Sequence, residues 1–350
     1  MRVSKKKFAL FLVILAMVVT FFVYPLNYYI MSPGAAYDLT KYVKVEDAKT
    51  PTDGSLSMMT VAVSGATPFT YVLAKFSDEK DILKEEEVRA PEESDTEYNL
   101  RQLKLMTDSQ FNAKYMAFKT LGRPYKVDYK GVYVIYVLEN AAASNVLKAG
   151  DEVTAIDGEK IKTHQQLVDY LADKKDGERV SLTFKRDDKV YTKDVTLKPI
   201  PGAKGKIGLG ITFSDSKSIS TTPEVKIDSD EIGGPSAGLM FTLEIIDQLT
   251  TGNLAKGYKI AGTGEMLENG KVGRIGGIDK KVIAANNQGI EIFFAPDDEI
   301  TPEMKKAVPD IQSNYELAKE TAEKIDSKMK IVPVKTLDDA MAYLNELKQK

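Results

Sequence analysis

The sequence contains no cysteine and a single histidine, His164. The first absence excludes a disulfide framework, a thiolate nucleophile and any thiolate metal site. The second leaves a Ser-His-Asp enzyme, or a zinc site built on two histidines, with almost nothing to work with. There is no G-x-x-x-x-G-K-[ST] phosphate loop either. The nearest approach, GEMLENGK from Gly264, has the wrong spacing and runs on into Val272. Excess positive charge is also missing: the net charge is −3 over 350 residues, so nothing draws the chain to nucleic acid. No cofactor, metal or ATP is expected from these residues.

The composition, 43% hydrophobic and 28% charged, is that of ordinary globular protein long enough for two or three cores. One segment departs from it. Residues 8–31, FALFLVILAMVVTFFVYPLNYYIM, carry no charge, and Arg2, Lys5, Lys6 and Lys7 precede them. That length crosses about 30 Å of hydrocarbon. The positive-inside rule then puts residues 1–7 in the cytoplasm and everything after the anchor, residues 8–30, outside the cell. Tyr24, Tyr28 and Tyr29 fit an interfacial aromatic belt. The rival is a cleaved signal peptide, for which Pro33-Gly34-Ala35-Ala36 offers small residues. The working part is extracytoplasmic on either reading.

Residues 54–76 read as strand-like runs broken by Gly and Pro. Residues 78–97 hold ten acidic and three basic side chains, a solvated stretch with no expected chemistry. Helical spacing returns over 98–121. We take 31–124 together as a strand and helix region packing near the unit that follows. That unit, 125–200, contains β-rich GVYVIYVLEN, then LKAGDEVTAIDGEKI, the helix THQQLVDYLAD and a closing hairpin. Thr163 and Gln166 form a capping box, which makes His164 punctuation at a helix start rather than a base or ligand. The unit resembles a PDZ domain of the bacterial protease type. The resemblance implies an extended peptide added at the strand edge Gly131, Val132, Tyr133, Val134, opposite a helix whose Leu167 and Leu171 line one side. Plain core packing explains the two leucines equally well.

The remainder, 205–350, alternates strands and helices, with a helix over 236–250 stopped by Gly252 and another over 278–288. In EIGGPSAG, Gly233 and Gly234 permit positive φ, Pro235 removes a donor, and Ser236 stands where a turn becomes a helix. Backbone N–H groups at such a start can face a developing oxyanion. Two readings fit Ser236: a nucleophile, or an N-cap serine. A nucleophile needs a base. In GGIDKKVIAANNQGI, Ile278, Lys281, Val282 and Ala285 fall on one helical face, so Lys281 projects from an apolar stripe while Lys280 turns to a flank. Lysine held against apolar surroundings loses proton affinity and can serve as base; a snorkelling lysine is the alternative.

GGPSAG, followed after about 25 residues by TGEM and then GKVGRIGGIDKKVIAANNQGIEIFFAPDD, closely resembles the proteolytic domain of Lon proteases from about residue 206 onward. The resemblance implies that Ser236 is the nucleophile and Lys281 its partner, with Thr263 a hydrogen-bond partner of the lysine and Gly234 and Pro235 shaping the turn. One position departs: the residue three before the serine is often acidic in Lon proteins and is Gly233 here. The implied whole is a multidomain α+β protein with an N-terminal transmembrane helix, a PDZ domain and a Lon-type proteolytic α/β domain. It resembles membrane-anchored, ATP-independent serine endopeptidases of Gram-positive bacteria, some of which process secreted peptides such as competence pheromones. Its expected partners are a peptide or secreted protein substrate and the membrane, and the sequence sets no oligomeric state. A membrane-tethered PDZ scaffold with an inactive Lon-like domain is the alternative.

Overall fold

The computed structural model describes residues 5–48, 53–90, 93–203, 205–229, 232–250 and 253–350. Arg2, Glu231 and Gly252 lie outside the described residues. The chain is multidomain α+β and divides into two units, each discontinuous in sequence: Met1–Lys41, Thr50–Glu92 and Thr251–Lys350 form one, Tyr42–Lys49 and Glu93–Thr250 the other.

The first unit begins with the helix Lys5–Val23, which has no buried residue. Its 19 residues rise about 28 Å, long and apolar enough to cross a membrane. The helix ends short of the expected residue 30. The strand Tyr28–Asp38 starts in its place, so Tyr28 and Tyr29 are sheet residues.

A six-stranded sheet follows in the order Lys330–Val334, Ile292–Pro296, Lys259–Gly262, Ser55–Gly65, Tyr28–Asp38, Asp81–Lys84. The first four strands are parallel, and the last two add antiparallel. The region expected over 31–124 is divided between the two units, 31–41 and 50–92 in the first and 42–49 and 93–124 in the second. Ser55–Gly65 pairs with Lys259–Gly262, from Ser55↔Lys259 to Met58↔Gly262, a register that local sequence pattern does not encode. Its residues Leu56 to Met59 are buried in succession, as a strand covered on both faces must be. On one face Met59, Ala261 and Phe293 pack with Ile278, Val282 and Ala285 of the helix Ile278–Asn287.

Two further expectations change here. The run 54–76 is not all strand: Thr67 and Thr70 form a capping box, and Pro68 opens the helix Pro68–Lys75. The acidic stretch supplies the edge strand Asp81–Lys84 and the short helix Glu85–Val88. The small residues at 33–36 have a packing reason. The register shifts between Pro33 and Ala36, the Ala35 N–H donates to Thr60 Oγ1 at 3.1 Å, and a Cβ on Gly34 would lie 2.4 Å from that oxygen.

In the second unit the helix Asp95–Thr120 starts at a Ser94/Glu97 capping box. The sheet runs Ile211–Thr221, Tyr125–Val137, Glu152–Ile156, Arg179–Arg186, Lys189–Thr196. The helix His164–Ala172 covers its core, capped by Thr163 and Gln166 as expected. The strand Ile211–Thr221, from the stretch expected to belong to the protease region, completes this sheet, pairing Phe213 with Val134 and Ser216 with Gly131. On its other side Val132 pairs with Val153. Gly131–Val134 is therefore an interior strand, and both its hydrogen-bonding edges are taken. The unit ends in the wholly buried helix Gly238–Leu249, where Gln248 accepts from the Val45 N–H and donates to the Val43 carbonyl, each at 3.0 Å.

Gly34→Ala should lower stability by about 1–3 kcal/mol, because the added methyl overpacks the bulge against Thr60. The thermal midpoint followed by circular dichroism measures it, and an unchanged midpoint would show that the strand yields freely.

Candidate active site

The helix Ile278–Asn287 starts at Gly277, whose φ of 64° is left-handed and which has no side chain for capping. A Cβ there would lie 2.8 Å from Met31 Sδ and 3.1 Å from Val61 Cγ1. The helix start is thus pressed onto the strands Tyr28–Asp38 and Ser55–Gly65. One turn in, Lys281 is 2% exposed. Its Nζ donates to Thr263 Oγ1 at 2.9 Å. Thr263 is fully buried just beyond the strand Lys259–Gly262, and its N–H donates to the Phe294 carbonyl at 3.1 Å, so the sheet itself sets the position of the hydroxyl. Burial pulls the Lys281 ammonium from 10.5 down to about 7.

The neighbouring Lys280, expected on an open flank, is also buried at 3% exposure. Its environment differs: Nζ lies 2.6 Å from Asp279 Oδ2 and 2.8 Å from Asp81 Oδ1. Burial pulls this group down too, but the hydrogen bonds to Asp279 and Asp81 outweigh it and hold its pKa above the ordinary lysine value. Two adjacent lysines are therefore driven in opposite directions. Asp81, in a stretch read as solvated, serves as one of the carboxylates.

Ser236 belongs to the second unit and is half-buried. The helix after it has Ala237 as its N-cap, with no side-chain cap, so Ser236 stands one residue before the position that the N-cap reading required. Gly234 takes φ of 87°, a conformation that suits glycine. The turn is held by the helix Asp95–Thr120. The Gly234 N–H donates to the Gln102 carbonyl and Ser109 Oγ donates to the Pro235 carbonyl, both at 3.0 Å. Gln110 Nε2 donates to Ser229 Oγ at 2.7 Å. A Cβ on Gly233 would lie 2.8 Å from Gln102 Cβ, so this helix fills the space that a side chain there would take. Sequence reasoning found the helix by its apolar spacing but had no signal linking it to the turn.

In the PDZ sheet, a cavity of about 540 Å³ lies between the His164–Ala172 helix and residues 207–213. Leu167 and Leu171 line it with Ile207, Leu209, Ile211 and Phe213, and Leu167 is also part of the buried core. Its strand side is the outer strand Ile211–Thr221, in place of the interior Gly131–Val134. His164 sits at the helix start, where its N–H donates to Asp215 Oδ1 at 2.6 Å and its Nδ1 lies 2.9 Å from the same oxygen.

Residues 220–345 match the family model of the Lon protease (S16) C-terminal proteolytic domain, and residues 107–197 match that of a PDZ domain. A Lon protease of Metamycoplasma arthritidis is 36% identical over 37% of this chain and 13% of its own length. One from Aster yellows witches'-broom phytoplasma is 30% identical over 35% of this chain and 13% of its own. The chain thus spans about one eighth of the length of these relatives. Among solved structures, the PDZ domain of an SdrC-like protein from Listeria monocytogenes is 43% identical, covering 25% of this chain and 92% of that one with a TM-score of 0.24.

Two outcomes follow from this geometry. Lys281 binds its proton more weakly folded than unfolded, so the unfolded state takes up more protons between about pH 7 and 10.5, and this group's contribution to stability rises with pH across that window. At pH 7 the lysine costs the fold up to about 4 kcal/mol, so Lys281→Met should raise stability by about 1–4 kcal/mol there and by less above pH 10. Denaturant titrations at the two pH values measure this. Gly233→Ala should destabilise the turn by about 1–3 kcal/mol, and pairing it with Gln102→Gly should recover part of the loss. Strict additivity in that double-mutant cycle would rule out the proposed clash.

Proposed function

We propose that the chain is a membrane-anchored, extracytoplasmic serine endopeptidase that works without ATP, with Ser236 as nucleophile and Lys281 as its general base. The observation that carries this reading is Lys281: a fully buried lysine, hydrogen-bonded to Thr263, whose proton affinity lies near neutrality. A base must be unprotonated at working pH yet able to hold a proton in transit, and a pKa of about 7 meets both needs. The similarity of residues 220–345 to the Lon proteolytic domain supports the pairing with Ser236.

In this mechanism Ser236 Oγ attacks the scissile carbonyl carbon as its proton passes to Lys281 Nζ. The carbonyl oxygen becomes an oxyanion facing backbone N–H groups at the start of the Gly238–Leu249 helix, where the helix dipole favours negative charge. Lys281 returns the proton to the leaving amine as the C–N bond breaks. Water then attacks the acyl-enzyme and gives a proton to Lys281; Oγ recovers it as the acid product leaves. Thr263 orients the Nζ lone pair. The groove between Leu167, Leu171 and the 207–213 segment takes an extended stretch of substrate, the backbone pairing at the outer strand. Short secreted peptides or unfolded exported proteins suit an enzyme with no phosphate-binding loop to drive unfolding, and a secreted signalling peptide such as a competence pheromone falls in that class.

Ser236→Ala and Lys281→Met should each lower kcat/KM for peptide cleavage by at least about a thousandfold. Wild-type cleavage by Ser236→Ala would sink the mechanism, and purified wild type that binds peptides without cleaving them would favour the scaffold reading. The wild-type rate should climb through about pH 7 as Lys281 loses its proton. Thr263→Val should cost about tenfold in kcat and move that acid limb to lower pH, since a hydrogen bond donated by the ammonium is lost. A pH–rate profile flat from 6 to 9 would exclude Lys281 as the base.

A further inference from the structure

The helix Pro68–Lys75 has apolar residues on more than one side. One side is covered: Ala74 packs with Ile30 and Ala66, and Tyr71 lies against the same cluster. The other carries Phe69, Val72, Leu73 and, just past the helix end, Phe76, at spacing i, i+3, i+4 and i+7, one continuous stripe. Val72 is 44% exposed, Leu73 49% and Phe76 87%. An aligned apolar stripe left open in this way marks an interaction surface rather than the scattered exposure found on any protein.

Where the stripe begins identifies its occupant. The Phe69 ring lies 4.6 Å from Phe22 and 6.1 Å from Phe21, centroid to centroid. Both phenylalanines belong to the last turn of the helix Lys5–Val23, the helix long and apolar enough to cross a membrane. When that helix spans the bilayer, its last turn sits at the edge of the hydrocarbon, and Phe69 sits at the same depth. Val72, Leu73 and Phe76 continue from there. A soluble partner reaching this stripe would have to enter the headgroup region to do so. Lys75, in the last turn and exposed, places a cation beside the stripe, as interfacial helices do.

We infer that the Pro68–Lys75 helix lies in the membrane surface as a second lipid contact, with Phe69, Val72, Leu73 and Phe76 in the headgroup–acyl boundary. The inference rests on the reading of Lys5–Val23 as a membrane span. It restrains the first unit, and with it Lys281, against the bilayer instead of leaving that unit on a free tether.

The natural chain has no cysteine, so single-cysteine variants carry one environment-sensitive NBD dye each. The full chain is reconstituted into vesicles of phosphatidylcholine and phosphatidylglycerol containing doxyl lipids quenching either near the headgroup or deep in the acyl chain. Phe76→Cys and Leu73→Cys should be quenched at least about twofold more by the shallow than by the deep quencher, as an interfacial helix requires. Val13→Cys, within the N-terminal helix, should be quenched most by the deep one. Val190→Cys, 69% exposed on the hairpin strand Lys189–Thr196, should respond to neither. If Val13 is quenched while positions 73 and 76 are not, the inference fails and the membrane span stands. If Val13 is not quenched, the span fails and takes the inference with it. Cross-linking of Phe76→Cys between copies without shallow quenching would overturn the inference in favour of self-association.

Discussion

Moving an ammonium group out of water is among the most expensive steps a fold can take, and the first unit takes it twice on consecutive residues. At Lys280 the cost is met in the usual way, by two carboxylates within hydrogen-bonding distance. At Lys281 burial lowers the pKa to about 7, and the group yields by giving up proton affinity. The contrast excludes a generic explanation such as a lysine stem covering apolar surface, because a snorkelling lysine keeps its head in water.

Keeping Lys281 dry depends on segments far from it in sequence. The left-handed Gly277 lets the helix start come down onto Met31 and Val61, and Met59 joins Ile278, Val282 and Ala285 in one buried cluster. None of these three strand residues lies in the 220–345 region similar to the Lon proteolytic domain. The same holds for Ser236, whose turn is held by Gln102 and Ser109. Each member of the proposed pair is thus positioned by chain that precedes the matching region: strands at 28–65 for the lysine, the helix Asp95–Thr120 for the serine. A piece beginning at residue 220 would contain both Ser236 and Lys281 and lack the segments that hold them.

This explains what was legible in the sequence and what was not. Lys281 was readable because helical phase is local: three apolar residues at i, i+4 and i+7 with the lysine at i+3 suffice to single it out from Lys280. The Thr163/Gln166 cap on the PDZ helix was readable for the same reason. The burial of Lys280 was not, because Asp81 comes from a charged stretch some two hundred residues away. Nor was the sheet order. Gly131–Val134 has the composition of a strand anywhere in a sheet, and only the return of Ile211–Thr221 along its outer side makes it interior. The helix Pro68–Lys75 was missed for a different reason. Its β-branched and aromatic residues suggest strand, and the Thr67–Pro68 start that sets a helix in motion was outweighed by that composition.

Gly233 shows how such distant packing can take over a local role. A side chain there would have to occupy the space of Gln102, and the neighbouring helix holds the turn. The support is a backbone carbonyl on the Gly234 N–H and a hydroxyl on the Pro235 carbonyl, neither of which titrates in the working pH range. The same helix reaches further. Just beyond it, Arg123 donates to the Leu249 carbonyl at 2.7 Å, bracing the far end of the helix that follows Ser236. Lys104 donates to the Asp215 carbonyl at 3.2 Å, on the outer strand that borders the cavity of about 540 Å³. Asp215 in turn accepts from the His164 N–H. One helix therefore fixes the serine turn and bears on the PDZ strand. It ties the placement of Ser236 to the placement of the cavity through ordinary hydrogen bonds.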